Sequence, residues 1–375
     1  MIFLALIAFV FCCFFYQSLL EKKDGRIFWL CVALTLFVMV FRSYDPTLVN
    51  YQDDVPNYIR FYNNSTTSNY GTPSDTTFGF EPGLSLVCWL LWLFPKSDLF
   101  FVLMMRLICM APVIYGIYRY SSRKELSLLV FILLPGCWLL EMITMRQALA
   151  TSFLLWALVL YLERPRRWKI WAALMVVLGL LSHSTSFLVL FFSALALMLP
   201  FNKKACYALL AVAALSGGFF AEKIASGIAS VFSPFGLLER VMSYITDGTE
   251  TGSMNIINFL VLGLFGALCV FAYGGEDKKK ETFLKLFVTG IVIYCLLGNY
   301  PLVDRMVSFF LIVGAFGAIP DFQPAGKVYV SANWWLSIAI CSVFIYLFYR
   351  NNCGPESYFF PYHFLLDRPL LWMYQ

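Results

Sequence analysis

The chain has 375 residues, of which 61% are hydrophobic, 18% aromatic and only 13% charged, and its mean hydropathy is +0.75. Soluble globular proteins carry about 25% charged residues, so this composition excludes a soluble enzyme and predicts an all-α polytopic membrane protein. The net charge of +5 is not gathered into a long basic domain, which excludes nucleic acid as a partner.

Taken in chain order, apolar segments of helical length fill most of the sequence. The first 20 residues lack a preceding basic stretch and a small-residue cleavage site, so we expect a retained helix there. Crossing the hydrocarbon takes about 20 helical residues, so we expect about twelve transmembrane helices in one integral membrane domain, residues 1–375. Outside the region discussed next, helices are predicted at about 2–20, 27–42, 126–140, 145–162, 168–182, 184–200, 205–221, 255–273, 283–297, 304–320 and 333–348.

One region contains two apolar segments but has room for a single crossing. Residues 82–95 and 99–118 are both apolar, whereas the alternation of sides between the loop 43–81 and Arg119 allows only one transmembrane helix. The first segment is short and lies between two prolines. We therefore expect a re-entrant or interfacial helix near 82–95.

The basic connectors fall on one side of the membrane if the predicted helices alternate. Positive-inside logic makes that side cytoplasmic, which places both chain termini outside. The longer outer regions are then the loops 43–81 and 222–254 and the tail 349–375. The basic connectors are at 22–26, 119–124, 164–169, 203–204 and 278–285.

The cysteines give no sign of a disulfide framework or a metal site. All 11 are scattered, most of them in apolar segments, and no C-x-x-C pair occurs. No other ligand spacing indicates a divalent ion, so we expect neither a metal nor another cofactor.

Arg146 stands where an apolar helix begins at the predicted outer interface. A guanidinium at full membrane depth costs about 2 to 3 kcal/mol, and less near the interface, so a partner or a function should offset it. Its planar fork of donors suits a phosphate group. The alternatives are a snorkelling side chain or an ion pair with Glu141.

His183 lies in the polar hinge 182–186, between two apolar helices and on the predicted outer face. An imidazole with a pKa near 6.5 accepts a proton from a hydroxyl or donates one to a phosphate oxygen. The alternative is an ordinary turn in which neighbouring Ser and Thr hydroxyls satisfy the histidine.

Arg305 and Arg240 are further cations near the predicted outer face. Arg305 follows a proline and Asp304 at the start of a helix, where arginine opposes the helix dipole and is therefore not expected to stabilise the helix. An anion docking at this terminus would gain from the free N–H groups and the guanidinium together. For Arg240, an ion pair with Glu239 or Asp247 is the alternative.

Short motifs occur in a fixed order along the chain and resemble those of a known family. They are Asp54 to Tyr58 after the second helix, Glu81 with Pro82, Arg146 with Gln147, Ser182 with His183 and Ser184, and Asp304 with Arg305. Over roughly residues 1–320 this order resembles the EpsG-type bacterial polysaccharide polymerases, which are Wzy-like membrane proteins. Asp53 and Gln52 stand where the family usually has Gly-Thr, so either Asp53 or Asp54 corresponds to its loop aspartate.

The resemblance implies a glycosyltransferase with an architecture similar to the lipid-sugar-dependent, GT-C-like membrane enzymes. Such a polymerase joins oligosaccharide repeat units carried on undecaprenyl diphosphate into O-antigen, capsular polysaccharide or exopolysaccharide. It works at the periplasmic face of the bacterial inner membrane and needs no nucleotide sugar. The implied partners are these lipid-linked oligosaccharides, membrane lipid and a chain-length regulator protein.

Within that chemistry, the sequence offers candidates for each role. A diphosphate leaving group needs its developing charge neutralised, which suits Arg146 and Arg305 together with Arg240. The base for the acceptor hydroxyl is one of His183, Asp54 and Glu81, and the sequence leaves the choice open. The candidates for binding sugar are Asp53, Tyr58, Gln147 and Tyr244.

Two alternative functions share these features. A lipid-oligosaccharide flippase or transporter also needs many helices and charged groups at several depths, and Arg106, deep in its segment, favours this interpretation. An O-antigen ligase shares the donor site and differs only in its acceptor.

Overall fold

The computed structural model describes residues 2–19, 24–43, 54–64, 81–94, 97–216, 256–275, 277–298, 301–317 and 332–352. Within these ranges every regular element is a helix. The fifteen helices there are α1 (Ile2–Leu19), α2 (Gly25–Val40), α3 (Val55–Asn64), α4 (Pro82–Leu91), α5 (Asp98–Tyr120), α6 (Lys124–Leu133), α7 (Trp138–Ile143), α8 (Met145–Glu163), α9 (Trp168–Ser182), α10 (Ser186–Met198), α11 (Lys203–Ser216), α12 (Ile256–Ala272), α13 (Lys278–Leu297), α14 (Pro301–Gly317) and α15 (Ala332–Asn352).

The helices have the composition expected of membrane segments. Among the described residues, α5 and α8 are long and apolar enough to cross a membrane, and eight shorter helices are also apolar. Large hydrophobic side chains such as Trp171 on α9 and Phe271 on α12 are exposed, as on a surface that faces lipid. An all-helical chain with many apolar helices is consistent with the predicted helical membrane protein.

The prediction of one continuous helix over 126–140 is wrong. Helix α6 ends at Leu133 and α7 begins at Trp138, because Pro135 removes a backbone donor and Gly136 takes a φ of +68°, which glycine tolerates without steric cost. Two other predicted boundaries also shift. The loop 43–81 contains α3, and the first residues of the predicted tail 349–375 belong to α15.

Helix α4 has ten residues and is therefore about 15 Å long, half of the thickness of the hydrocarbon. It lies beside α3, since the Trp92 indole that follows α4 donates a hydrogen bond to the Tyr62 carbonyl at 3.1 Å. The end of α3 in turn reaches α5, where the Asn63 amide donates to the Asp98 carboxylate at 2.8 Å. Helix α4 is thus too short to cross by itself and is fixed against its neighbours.

Two hydrophobic cores hold the helices together. The larger core joins most of the bundle, while the smaller one is formed by α3, α4 and the first halves of α5 and α8. In the smaller core the Tyr62 ring stacks on Phe101, with 4.5 Å between ring centroids. The buried residues of α3 are Val55, Tyr58 and Tyr62, whose spacing places them on one face of the helix.

Helix α8 connects two chemically different ends of the bundle. Its 19 residues span about 28 Å, close to the thickness of the hydrocarbon. At its last residue, the Glu163 carboxylate accepts a hydrogen bond from Tyr120 at 2.8 Å and pairs with Lys279 at 3.3 Å and Arg119 at 3.5 Å. The predicted basic connectors around these residues therefore meet at one end, here called the basic end. The opposite end, where α8 begins, is called the site end.

Candidate functional site

Five segments that are distant in sequence meet at the site end. They are the starts of α3, α4, α8 and α14 and the turn between α9 and α10, and polar side chains from all five are linked by hydrogen bonds, ion pairs or charge interactions. We call this set the site cluster, and it consists of Asp54, Tyr58, Glu81, Arg146, Gln147, His183, Thr185 and Arg305.

The ion pair between Arg146 and Glu81 lies at the centre of the cluster. Glu81 precedes Pro82, the first residue of α4, and has the extended conformation that is usual just before a helix. Arg146 is the second residue of α8, and its Nη1 lies 2.5 Å from the Glu81 carboxylate. Both side chains are about one-fifth exposed. Arg146 therefore pairs with Glu81 and not with Glu141, the partner considered from the sequence.

Tyr58 connects this ion pair to Asp54. Its hydroxyl donates a hydrogen bond to the Asp54 carboxylate at 3.4 Å and accepts one from Arg146 Nε at 3.4 Å. Tyr58 lies on α3, outside the long apolar helices, and its burial and then the charge on Asp54 raise its pKa to about 12. The phenol consequently keeps its proton and serves as a fixed donor.

Gln147 joins two other segments of the cluster. Its Nε2 donates a hydrogen bond to the backbone carbonyl of Arg305, which fixes the orientation of the side-chain amide. The Oε1 of the same amide therefore faces Thr185 and accepts its hydroxyl proton at 3.2 Å. A buried glutamine thus holds the start of α14 against the turn between α9 and α10.

The turn between α9 and α10 determines the protonation of His183. The backbone N–H of Thr185 donates to His183 Nδ1 at 3.1 Å, and the Thr185 hydroxyl, which lies 2.9 Å from the same nitrogen and 3.2 Å from Gln147 Oε1, shares its one hydrogen between these two acceptors. A backbone amide keeps its hydrogen, so Nδ1 must act as an acceptor and the ring hydrogen must be on Nε2. Burial and then the charges on Arg146 and Arg305 lower the pKa of His183 to about 3. His183 is therefore a neutral imidazole with a donor at Nε2.

Arg305 supplies the second cation of the cluster. Its backbone carbonyl accepts hydrogen bonds from Gln147 and from the Ser308 hydroxyl, the latter at 2.9 Å, so the first turn of α14 is held firmly. Its charge affects the pKa of both Tyr58 and His183. Among the carboxylates whose side chains the structure describes, a set that does not include Asp304, none pairs with the Arg305 guanidinium.

All the predicted site residues that fall in the described ranges lie in this cluster. Thr185 was not among the predicted site residues, but its contact with His183 agrees with the alternative interpretation, in which neighbouring hydroxyls satisfy the histidine. Three predicted residues lie outside the described part of the chain, namely Asp53, Arg240 and Tyr244.

A comparison with protein families identifies the chain. A family model described as the EpsG family matches residues 26–364, which is most of the sequence and includes the whole site cluster. The chain belongs to the EpsG family. EpsG proteins are associated with a glycosyltransferase-like, polysaccharide polymerase-type role. Neither a curated protein nor a solved structure matches the chain.

The donors of the cluster in this EpsG-family protein can bind an anionic ligand. Two guanidinium groups and one imidazole N–H donor lie together with two carboxylates, of which Glu81 has Arg146 as its partner and Asp54 accepts a hydrogen bond from the Tyr58 hydroxyl. No group of three or more His, Cys, Asp or Glu side chains that could hold a metal occurs among the described residues. The arrangement therefore suits a phosphate or diphosphate bound by arginine.

Arg106, the charge that favoured a transporter, has a different environment from the cluster. It is completely buried on α5, and its two terminal nitrogens donate hydrogen bonds to the backbone carbonyls of Glu141 and Met142 at the end of α7. A guanidinium in this position stabilises the carboxyl end of a helix. The observation that motivated the transporter interpretation thus has a structural explanation in this EpsG-family protein.

Proposed function

We propose that this EpsG-family protein is a polymerase of undecaprenyl-diphosphate-linked oligosaccharide repeat units, acting at the periplasmic face of the bacterial inner membrane. Its product would be O-antigen or a capsular or exopolysaccharide. The observation that carries the proposal is the placement of two guanidinium groups, Arg146 and Arg305, close enough to His183 for both of their charges to act on its imidazole.

In this proposal the cations bind the diphosphate of the lipid-linked donor. Arg305 contributes a planar fork of donors, and Arg146 is held in a fixed orientation by Glu81 and Tyr58. Fixed cations in a site of low dielectric stabilise developing negative charge better than mobile ions in water do. The cluster is therefore arranged before the substrate arrives.

The reaction transfers the growing glycan from its lipid carrier to the next repeat unit. The acceptor hydroxyl oxygen forms a bond to the anomeric carbon of the glycan while the bond from that carbon to the diphosphate oxygen breaks. The electron pair of the broken bond leaves with the polyprenyl diphosphate. Arg305 and Arg146 neutralise the charge that develops there, and His183 Nε2 donates a hydrogen bond to the leaving oxygen.

Asp54 is the residue that we assign as the base for the acceptor hydroxyl. His183 has a pKa of about 3 and accepts a backbone N–H at Nδ1, so it is too weak a base. Glu81 is committed to the ion pair with Arg146. The Asp54 carboxylate is held by the Tyr58 hydroxyl at 3.4 Å and takes the proton of the acceptor.

The predicted sugar-binding residues divide into two groups in this proposal. Tyr58 and Gln147 are only 1% and 3% exposed, and their polar groups bond to other members of the cluster, so we assign them a positioning role. Asp53 and Tyr244, which lie outside the described residues, remain our candidates for contact with the sugar.

The proposal is tested by replacing each cation in a strain that lacks the native gene. Arg305→Ala and Arg146→Ala should lower polymer formation by about 100-fold, as expected when a fixed charge at a leaving group is lost. Single repeat units should still reach the cell surface. Arg166→Ala is the matched control, because it removes an exposed arginine from the turn between α8 and α9.

Gels of lipid-linked and surface glycans distinguish the alternatives. A polymerase defect leaves single-unit glycans outside the membrane, whereas a flippase defect leaves no repeat units there. Normal polymer ladders from Arg305→Ala, with the variant protein present in the membrane, would contradict the proposed donor site.

A further inference from the structure

A break in the helical backbone lies directly before the site residues of α8. Helix α7 ends at Ile143 and α8 begins at Met145, and Thr144 between them has a non-helical conformation with φ −111° and ψ 78°. The interruption is a single residue, so α7 and α8 would form one continuous helix if Thr144 were helical.

The hydrogen bonds at this break show what prevents continuation. In a continuous helix the Glu141 carbonyl would accept the N–H of Met145, and the Met142 carbonyl would accept the N–H of Arg146. Here the guanidinium of Arg106 donates to both of these carbonyls instead. One side chain from α5 thus replaces the two backbone donors that would otherwise join α7 to α8.

The replacement gives α8 a separate amino terminus inside the bundle. The first backbone bond of α8 runs from the Ala148 N–H to the Thr144 carbonyl at 2.9 Å. No carbonyl of the described residues accepts the N–H of Met145 or Gln147. Because a helix start carries a partial positive charge, it adds to the cations of the site cluster at the position of Arg146.

We infer that Arg106 is a positioning residue, which keeps α7 and α8 apart and thereby orients Arg146 and Gln147 towards the other members of the cluster. Its effect on glycan formation rests on the proposed function. Its effect on the helix break does not, since the path of the backbone is observed without an assay of activity.

The inference is tested by removing the guanidinium and then enforcing the break by other means. Arg106→Met should let the segment from α7 through α8 become one helix and lower polymer formation by about 100-fold, because Arg146 and Gln147 are displaced. Adding Met145→Pro should restore the break. Proline has no N–H to give Glu141, is favourable at the first position of a helix, and keeps the preceding Thr144 out of the helical conformation.

Met145→Ala is the matched control, because it also removes the methionine side chain but keeps the backbone N–H. The double variant with proline should recover polymer formation to within about threefold of Met145→Pro alone. The double variant with alanine should stay as low as Arg106→Met. If Arg106→Met does not accumulate in the membrane, rescue of accumulation by proline but not by alanine supports the inference equally.

A structure of each variant by electron cryomicroscopy separates this inference from the proposed function. An intact break in Arg106→Met overturns the inference, and so does a failure of proline to restore either the break or accumulation. If the break is lost and regained as expected while polymer formation never changes, the role of Arg106 stands and the proposed function of the cluster is refuted.

Discussion

The protonation of His183 gives a sharp test of the site geometry. With a pKa of about 3, only about 1% of His183 carries a charge at pH 5, whereas an ordinary histidine with a pKa of 6.5 would be about 97% charged. Since the pKa is lowered, the imidazole is neutral at every pH above about 4 and becomes charged only as the pH falls through 3. The imidazole of His183 should thus stay neutral, with its hydrogen on Nε2, at every pH above about 4.

Nitrogen NMR of histidine-labelled protein measures this directly. The chain has only two histidines, so His363→Gln leaves the signal of His183 alone. Between pH 8 and pH 5 that signal should not titrate, and it should show an unprotonated Nδ1. Thr185→Val removes the hydroxyl but keeps the backbone N–H that donates to Nδ1, so it serves as a control with the same expected result. A midpoint between pH 5 and pH 7, or a proton on Nδ1, would refute the assignment.

Two further predictions concern the packing around the site and the opposite end of α8. Gly83→Ala should lower polymer formation about tenfold, because its Cβ would lie 2.3 Å from the Ser182 hydroxyl and 2.8 Å from the Ser182 backbone. Gly25→Ala is the control: its Cβ would meet nothing within 4 Å, so the same glycan gel should show normal polymer. Glu163→Gln removes the ion pairs of the basic end and should lower the free energy of unfolding by about 1 kcal/mol, measured as a lower melting temperature. Polymer formation should stay normal. Normal polymer from Gly83→Ala, or lost polymer from Glu163→Gln, would contradict the assignment of function to the site end.

The sequence was sufficient to find most members of the site cluster but not to show how they pair. Arg146 and His183 were conspicuous because charged or polar residues at the ends of apolar segments are costly unless they have partners or a function. Their partners come from other parts of the chain, since Glu81 is 65 residues from Arg146 and Arg305 is 158 residues from Gln147. Such pairings depend on how helices pack, which helical periodicity does not specify.

Local backbone chemistry explains the other differences. The division of the predicted helix 126–140 depends on Pro135 and Gly136, whose neighbours are apolar enough to hide the break. The position of Arg106 deep in an apolar segment favoured a transporter. The structure shows instead that its terminal nitrogens donate hydrogen bonds to the backbone carbonyls of Glu141 and Met142. The protonation of His183 likewise depends on the Thr185 amide, a group that every residue except proline possesses.

Helix α8 is fixed at both of its ends, by Arg146 to Glu81 and by Glu163 to Tyr120, Lys279 and Arg119. Each residue of an α-helix contributes about 100° of rotation and 1.5 Å of rise. Inserting or deleting one residue between the two anchors would therefore turn one of them away from its partners, whereas a substitution at an exposed position such as Tyr161 would leave both in register. The number of residues between Arg146 and Glu163 is thus fixed by the partners at the two ends of α8.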